Sequence, residues 1–557
     1  MRTLLLVLLS VTGVFGQSEP ASYPVTAKDP KNARDYPGGR GEHQLIIYTS
    51  AYGRRSTGTN QWGVEATVRN DVVVAFGGND SPLRPGEYVL SGHGRARQFL
   101  LNTIRIGAKI TADDSSVTVR FDAESFRIYT AMRLAELRKK FTALSRQFPD
   151  EQRSALAASL DAFGQFLKDS AMAGTGPVDS SVYAAGMALM DGLEYRISLS
   201  PSVEGRGVWH RPVERSGEEI ERLVRTYAEA GFNMMFVETI WRGETIYPGF
   251  ITRQKPQFAG FDPLRAYIDA GKRHGVEIHA WIHTFFVGYV GAADDSGTGP
   301  ILTKHPDWAI VKRNGENVSR AEAGYLFVNP GHPDAQDLIA SLYREVRTLY
   351  PDIAGMQLDY IRYPVGVPLE ESSDYSARSR EAFKAVSGTD PMDIDPITAP
   401  EKWEEWRRWR QQVVTDFVKR IRWENPETLL SADIFPDIEE AHRTKMQRWD
   451  EWANKGYVNV LAPMAYTVNA DWVAESIVRM RSVVGESFPL YVGLAPYMKL
   501  TPSMLLQQIE RCRELKADGI ILFATSSLSA EQLRLLAAGP FRTRAVPPRL
   551  LQRTIKP

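Results

Sequence analysis

The sequence predicts an α/β protein: a (β/α)8 TIM barrel over residues 204–540, preceded by a small β-rich domain (43–120) and a helical connecting region (121–203). Two observations carry the barrel and a third removes its main rival. Strand-like runs alternate with amphipathic helical segments eight times between residues 204 and 540, the count such a barrel requires. The stretch also matches the ~250 residues usual for the fold once loop insertions are added. A doubly wound sheet would carry a Gly-rich phosphate turn after its first strand, and Gly205-Arg206-Gly207-Val208-Trp209-His210 does not fit GxGxxG.

At the start of the chain, Arg2 precedes an apolar run at 4–9 that closes on Val14-Phe15-Gly16. Residues 1–16 read as a secretory signal peptide cut near Gly16, and the run is shorter than the ~20 apolar residues of a membrane span. No later segment reads as a span, so export to the periplasm or the extracellular space is expected. Residues 17–42, with Pro20, Pro24, Pro30 and Pro37, read as an extended leader. Short β-rich runs at 45–48, 64–68, 72–76, 88–90 and 117–119, separated by turn residues, define the small β-rich domain. Its segments 56–63 and 90–94 are rich in small polar residues that suit tight turns or close approach to a ligand. Ser91 and His93 are no nucleophile elbow, which reads GxSxG. From 121 to 203 apolar residues recur at helical spacing, as in Ala131, Leu134, Leu137, Phe141 and Leu144, and the expected role is to brace the β domain.

The barrel strands are expected at 207–210, 233–239, 276–285, 353–361, 429–435, 458–466, 490–495 and 519–524. The helices between and after them are expected at 216–230, 263–274, 333–349, 404–423, 443–453, 471–483, 502–515 and 529–537, with a tail at 541–557.

Composition limits the partners. Sixty-seven Lys+Arg cancel 67 Asp+Glu over 557 residues, so nothing draws the whole chain toward nucleic acid, and 43% hydrophobic residues exclude a disordered chain. The one cysteine, Cys512, has no partner for an internal disulfide and reads as a buried helical thiol. No cofactor and no metal are expected.

In a barrel, working residues stand at the C-terminal ends of strands and on the loops after them. That rule selects Glu238 and Trp241 after the second strand. On the third, His279, Trp281 and His283 share one face by period two, the face expected to point inward. Gln357 and Asp359 share a face of the fourth strand with Arg362 and Tyr363 just beyond, and Asp433 and Tyr466 end the fifth and sixth. A carboxylate on an inner face needs a partner, water or a chemical role. For Asp359 the structural alternative is an ion pair with Arg362. Of 12 Trp only Trp62 precedes the barrel, and Trp209, Trp241 and Trp281 stand where an indole can stack on the C–H face of a sugar. Trp403, Trp406 and Trp409 read as helix packing.

Eight motifs occur in order: Arg206-Gly207-Val208-Trp209, Gly231-Phe232-Asn233, Phe261-Asp262-Pro263-Leu264, His279-Ala280-Trp281, His305-Pro306-Asp307-Trp308, Asn329-Pro330-Gly331, Leu358-Asp359-Tyr360-Ile361-Arg362-Tyr363-Pro364 and Ala462-Pro463-Met464-Ala465-Tyr466. Over residues 204–530 the chain resembles the bacterial family 10 glycosyl hydrolase-like proteins, glycosidase barrels of the DUF187 type. The resemblance implies hydrolysis of bacterial cell-wall or exopolysaccharide glycans, and it carries Asp359 over. Glu238 stands where related barrels commonly have Gln, Tyr360 follows Asp359 where they often have a second Asp, and Ser431-Ala432-Asp433-Ile434-Phe435 is closer to a neighbouring glycosidase group.

Glycoside hydrolysis uses two carboxyl groups, one protonated and one ionised. The expectation is Asp359 with Asp433 or Glu238 as its partner, and His210, His283, Asn329, Arg362 and Tyr466 binding sugar hydroxyls or tuning the pair. A polysaccharide is the expected partner; oligomeric state is open. Two alternatives stand: a non-catalytic glycan-binding protein, and a metal-dependent hydrolase using His279 and His283, which a strand would hold ~13 Å apart.

Overall fold

A computed structural model of the chain describes residues 14–15, 20–31, 43–60, 62–169, 176, 178–291, 297–498 and 500–548. Apart from Val14–Phe15, the expected signal peptide lies outside these residues, as do 17–19 and 32–42 of the expected leader and 549–557 of the tail.

Eight parallel strands form the barrel: β1 (Gly205–His210), β2 (Met234–Trp241), β3 (Glu277–His283), β4 (Gly355–Asp359), β5 (Leu430–Ile434), β6 (Val460–Pro463), β7 (Tyr491–Leu494) and β8 (Gly519–Leu522). Their order is β6-β5-β4-β3-β2-β1-β8-β7, and parallel bridges Leu461 to Leu490 and Met464 to Gly493 close β6 on β7. Helices α1 (Gly217–Glu229), α2 (Pro263–His274), α3 (Pro333–Leu349), α4 (Pro400–Glu424), α5 (Trp449–Asn454), α6 (Ala470–Val484), α7 (Pro502–Glu514) and α8 (Ala530–Ala538) follow the strands in turn. The helix expected at 443–453 is shorter. A π-helical stretch, Ala441–Lys445, ends where Met446 takes left-handed φ 60°, and α5 restarts at Trp449.

The strands are buried on both faces, and each face has its own core. Outward residues such as Val208, Val237, Ala280, Leu358 and Leu494 meet the helices. Inward residues Trp209, Met234, Phe236, Trp281, Val460, Tyr491 and Ile521 fill the barrel. Large side chains are accommodated by glycines opposite them, the small-large alternation a narrow barrel needs. A Cβ at Gly205 would lie 2.8 Å from the Met234 methyl, and one at Gly493 would lie 2.9 Å from the Trp209 ring.

Buried Arg206 closes the N-terminal face of the barrel. Its guanidinium donates to Glu204 Oε2 at 2.8 Å and to the carbonyls of Pro201, Phe541 and Thr543. Part of the expected tail is thereby tied beneath the barrel.

The N-terminal sheet has eight strands, in the order Ala21–Pro24, Ser116–Arg120, Lys109–Ala112, Val72–Phe76, Val64–Arg69, Glu87–Gly92, Leu45–Thr49 and Ala27–Lys28. Two of them come from the stretch expected as leader. This sheet and helices Ala123–Leu144, Asp150–Asp169 and Ser180–Ile197 share one hydrophobic core. Among the described residues, no helix is long and apolar enough to cross a membrane.

Gly493→Ala should destabilise the protein by roughly 1–3 kcal/mol, because the new methyl meets the Trp209 ring and a backbone oxygen inside a filled barrel. A lower urea midpoint with an unchanged slope checks this.

Candidate active site

Asp359 is the last residue of β4, inward and buried, and its register partner on β3 is His283. Its carboxylate accepts from the Trp281 indole N–H at 2.9 Å through Oδ2 and from the Tyr360 N–H at 2.6 Å through Oδ1. Leu358 pairs with Ala432, so Asp433 is the next residue up on β5, level with Asp359 on the neighbouring strand. Asp433 is 2% exposed, and its Oδ1 has no hydrogen-bond partner among the described residues.

Glu238 reaches the same place from β2. The pairing of β2 with β3 shifts between Glu238 and Ile240, with one extra residue on β2, a bulge of the kind that re-aims a strand-end side chain. Its Oε1 accepts from Arg211 Nε at 3.1 Å, and Lys255 Nζ lies 3.8 Å from Oε2. His283 Nε2 is 3.6 Å from Glu238 Oε1 and 3.5 Å from Asp359 Oδ2. Those two distances limit the separation of the oxygens to at most about 7 Å.

Burial sets the protonation of this cluster. It pushes the Asp359 carboxyl from 3.8 up to about 6, against the pull of its N–H donors and of Arg362 and Arg211. It raises Asp433 well above the usual carboxylate range, and the charge of Asp359 adds to the rise. Glu238 is raised by burial too, with Lys255 and Arg211 opposing. The His283 imidazole is driven well below its ordinary value by burial and by the cations around it, so it stays neutral.

A cavity of about 450 Å3 opens above these groups, lined by Asp359, Asp433, Arg211, Arg362, Tyr466 and Trp472 among others. Its volume suits a small ligand or a short stretch of a polymer. Trp209 and Trp281 form part of its wall, but both are at most 2% exposed. The indole N–H of Trp209 donates to Gln357 Oε1 at 2.7 Å, and Arg211 lies over the Trp281 ring at 5.6 Å. Arg362 does not ion-pair with Asp359. It donates to Glu322 Oε1 at 2.7 Å and lies over the Tyr360 ring.

Six expected site residues are outside the cavity wall: Glu238 and His283, which stand behind it, and His210, Asn329, Trp241 and Tyr363. His210 Nε2 is bound by Glu214 and Tyr267 and Nδ1 by Thr525. Asn329 donates to Ser376 and Ser379 and accepts from the Gly331 N–H, which shapes its own loop. The Trp241 ring is covered by Arg242 and Lys255. Tyr363 is buried, and its backbone N–H donates to the Lys445 carbonyl. His279 sits lower in the barrel, its ring 4.7 Å from Phe236, and does not join His283, which packs on Tyr360. Among the described residues, no three His, Cys, Asp or Glu side chains are placed to hold a metal ion.

Sequence reasoning passed over Arg211, Tyr360, Phe435, Trp472 and Phe523, all in the wall. Arg211 and Phe523 immediately follow β1 and β8, so the strand-end rule could have found them. Trp472 is on a helix, and only the folded barrel turns it to the mouth.

Residues 204–502 match the family described as glycosyl hydrolase-like 10. The chain belongs to this family. Among curated proteins of similar sequence, glycosyl hydrolase YngK of Bacillus subtilis (strain 168) is 24% identical over 323 residues, 51% of this chain and 56% of YngK. Glycosyl hydrolase DigH of Escherichia coli K12 is 22% identical over 318 residues, 49% of this chain and 64% of DigH. The chain thus spans less than two thirds of the length of either relative. Among solved structures, the catalytic domain of β-amylase from Paenibacillus polymyxa is 12% identical, covering 64% of this chain and 100% of its own at a TM-score of 0.44. The α-L-fucosidase isoenzyme 2 from Paenibacillus thiaminolyticus is 15% identical, covering 61% and 49% at 0.44. The barrel itself is established by the strand order and closure described above.

Burial of Asp433 predicts a pH-dependent stability. A carboxyl whose folded pKa is raised binds its proton more tightly folded than unfolded. The stability it contributes is complete below its ordinary value of 3.8 and is lost as pH rises from there toward the folded value. Asp433→Asn should remove one proton's share of that decline, about 1.4 kcal/mol per pH unit. Urea unfolding of parent and variant from pH 4 to 7 measures the two slopes.

Proposed function

We propose that this protein is an exported glycoside hydrolase that cleaves a bacterial cell-wall or exopolysaccharide glycan, with Asp433 as general acid and Asp359 as its ionised partner. The observation that supports it best is the position and unequal environment of these two carboxyl groups. They stand level on adjacent strands in one cavity, and Asp359 has two N–H donors where Asp433 Oδ1 has none. Near neutral pH this favours a protonated Asp433 beside an ionised Asp359, the split that acid-base chemistry on one bond requires. Asp433 gives its proton to the leaving glycosidic oxygen, and Asp359 stabilises the positive charge at the anomeric carbon and assists the nucleophile.

Glu238 is assigned a supporting part. Its Oε1 accepts from Arg211 and Lys255 stands near its Oε2, so it holds Arg211 at the wall of the cavity. Phe435, Tyr466, Trp472 and Phe523 supply the aromatic surface that sugar C–H faces prefer. Membership of a glycosyl hydrolase-like family supports the reaction class, and the apolar run at 4–9 with the Val14-Phe15-Gly16 close that follows it supports export.

Asp359→Asn should lower turnover of denuded peptidoglycan or an amino-sugar exopolysaccharide by roughly 10²–10⁴-fold while leaving the far-ultraviolet spectrum unchanged. Release of reducing ends, followed by mass spectrometry, reads the outcome. Full activity in the folded variant would overturn the assignment, and glycan binding by the parent without cleavage would favour a non-catalytic role. In the parent, kcat/KM should rise with pH through about 6 as Asp359 ionises and fall at higher pH as Asp433 loses its proton. Asp433→Asn should lose the falling limb in whatever activity is left.

A further inference from the structure

The small polar turns of the N-terminal sheet, at 56–60 and 77–82, take no part in the chemistry above, yet they are built with care around one buried acid. Glu65, fully buried on its strand, accepts from Thr57 Oγ1 at 2.5 Å and from the Ser81 N–H at 2.7 Å. Asn79 Nδ2 donates to the Thr59 carbonyl, and Asp80 Oδ1 accepts from the Gly58 N–H at 2.9 Å. Asp80 is left-handed, φ 56°, a conformation Asp tolerates better than most residues. These contacts fix the direction of the Asp80 carbonyl.

That carbonyl accepts from Asn469 Nδ2 at 3.3 Å, across the boundary between the N-terminal unit and the barrel. Asn469 is 7% exposed and is the N-cap of α6. Its Oδ1 accepts from the Asp471 N–H at 2.9 Å and from the Trp472 N–H at 3.2 Å. One amide side chain thus serves both units: its oxygen caps the helix whose first turn carries Trp472 into the catalytic cavity, and its nitrogen anchors that turn to the N-terminal sheet. The approach is close, since a Cβ at Gly78 would lie 3.1 Å from Val468. A half-buried Arg84–Asp471 ion pair at 2.8 Å crosses the same boundary beside Asn469, and the Arg55–Glu475 pair, with Arg55 exposed, adds little.

We propose that Asn469 is a positioning residue through which the N-terminal β unit holds Trp472 as a fixed wall of the glycan site. The loop that presents the indole is then set by the N-terminal sheet as well as by the barrel.

The test separates the two halves of the Asn469 side chain. Asn469→Ser and Asn469→Asp each keep a good helix N-cap oxygen and remove the Nδ2 amide that reaches the Asp80 carbonyl, which the shorter Ser side chain does not replace. In both, amide hydrogen exchange over residues 467–473 should speed up while that of the following turns of α6 stays at the parent rate. On denuded peptidoglycan strands KM should rise roughly three- to tenfold with kcat within about twofold, as expected when a binding wall loses one neutral hydrogen bond of alignment. Parental exchange rates over 467–473 in both folded variants would overturn the proposal, as would a parental KM beside accelerated exchange. The kinetic part rests on the glycosidase reading. If the parent cleaves no glycan, that reading fails alone, and the exchange measurement, with the Trp472 contribution to fluorescence, decides the anchoring.

Discussion

Closing eight parallel strands into a barrel sends every second residue of each strand into a space that must be filled, and the rest of this structure follows from how it is filled. In the lower layers the solution is geometric: Trp209, Phe236 and Tyr491 occupy volume that Gly205, Gly207, Gly493 and Gly519 leave open. In the upper layer the inward positions belong to Glu238, His283, Asp359 and Asp433, which enter the same water-poor interior. The burial that makes the lower layers cohesive makes the upper ones costly to charge. Cohesion at the bottom of the barrel and carboxyls that resist ionisation at its mouth are two results of one constraint.

The cations at the mouth decide which acids are left over. Arg362 is held by Glu322, Arg211 by Glu238, and Lys255 lies between Glu238 and the Trp241 ring. Asp359 and Asp433 have no Lys or Arg partner in an ion pair among the described residues. Asp359 has N–H donors instead, and Asp433 faces the charge of Asp359, so two chemically identical side chains on adjacent strands become unlike. Each half of the chain also has a task in this arrangement. The N-terminal sheet and helices form one core of their own, and their turns meet the barrel where α6 begins, beside the cavity.

Much of the fold was legible because periodicity is a local property. The segments from 204 to 540 showed every strand and helix of the barrel, and period two put Trp281, His283 and Asp359 inside. The π-turn before α5 was not legible, since Met446 carries no residue-type signal for a left-handed conformation. In the site, the carboxylates were found because the strand-end rule favours them. His210, at the end of the first strand, and Asn329, in the Asn329-Pro330-Gly331 motif, were expected to bind sugar hydroxyls or tune the acid pair, and the structure shows them bound to Glu214, Tyr267, Ser376 and Ser379. Whether a polar residue is already engaged depends on partners far away in sequence, such as Thr525 for His210.

The sequence by itself determined the alternation of elements, the barrel, and the presence of acids at the ends of β2, β4 and β5, because spacing along a chain dictates which side chains share a face. The tertiary structure alone decided which acids stand together without counter-ions, which tryptophans are covered, and that Trp472 on a helix joins the wall beside Asp359 and Asp433. Those outcomes depend on distances across the closed barrel and on the water that closure removes, and neither is a property of any short stretch of residues.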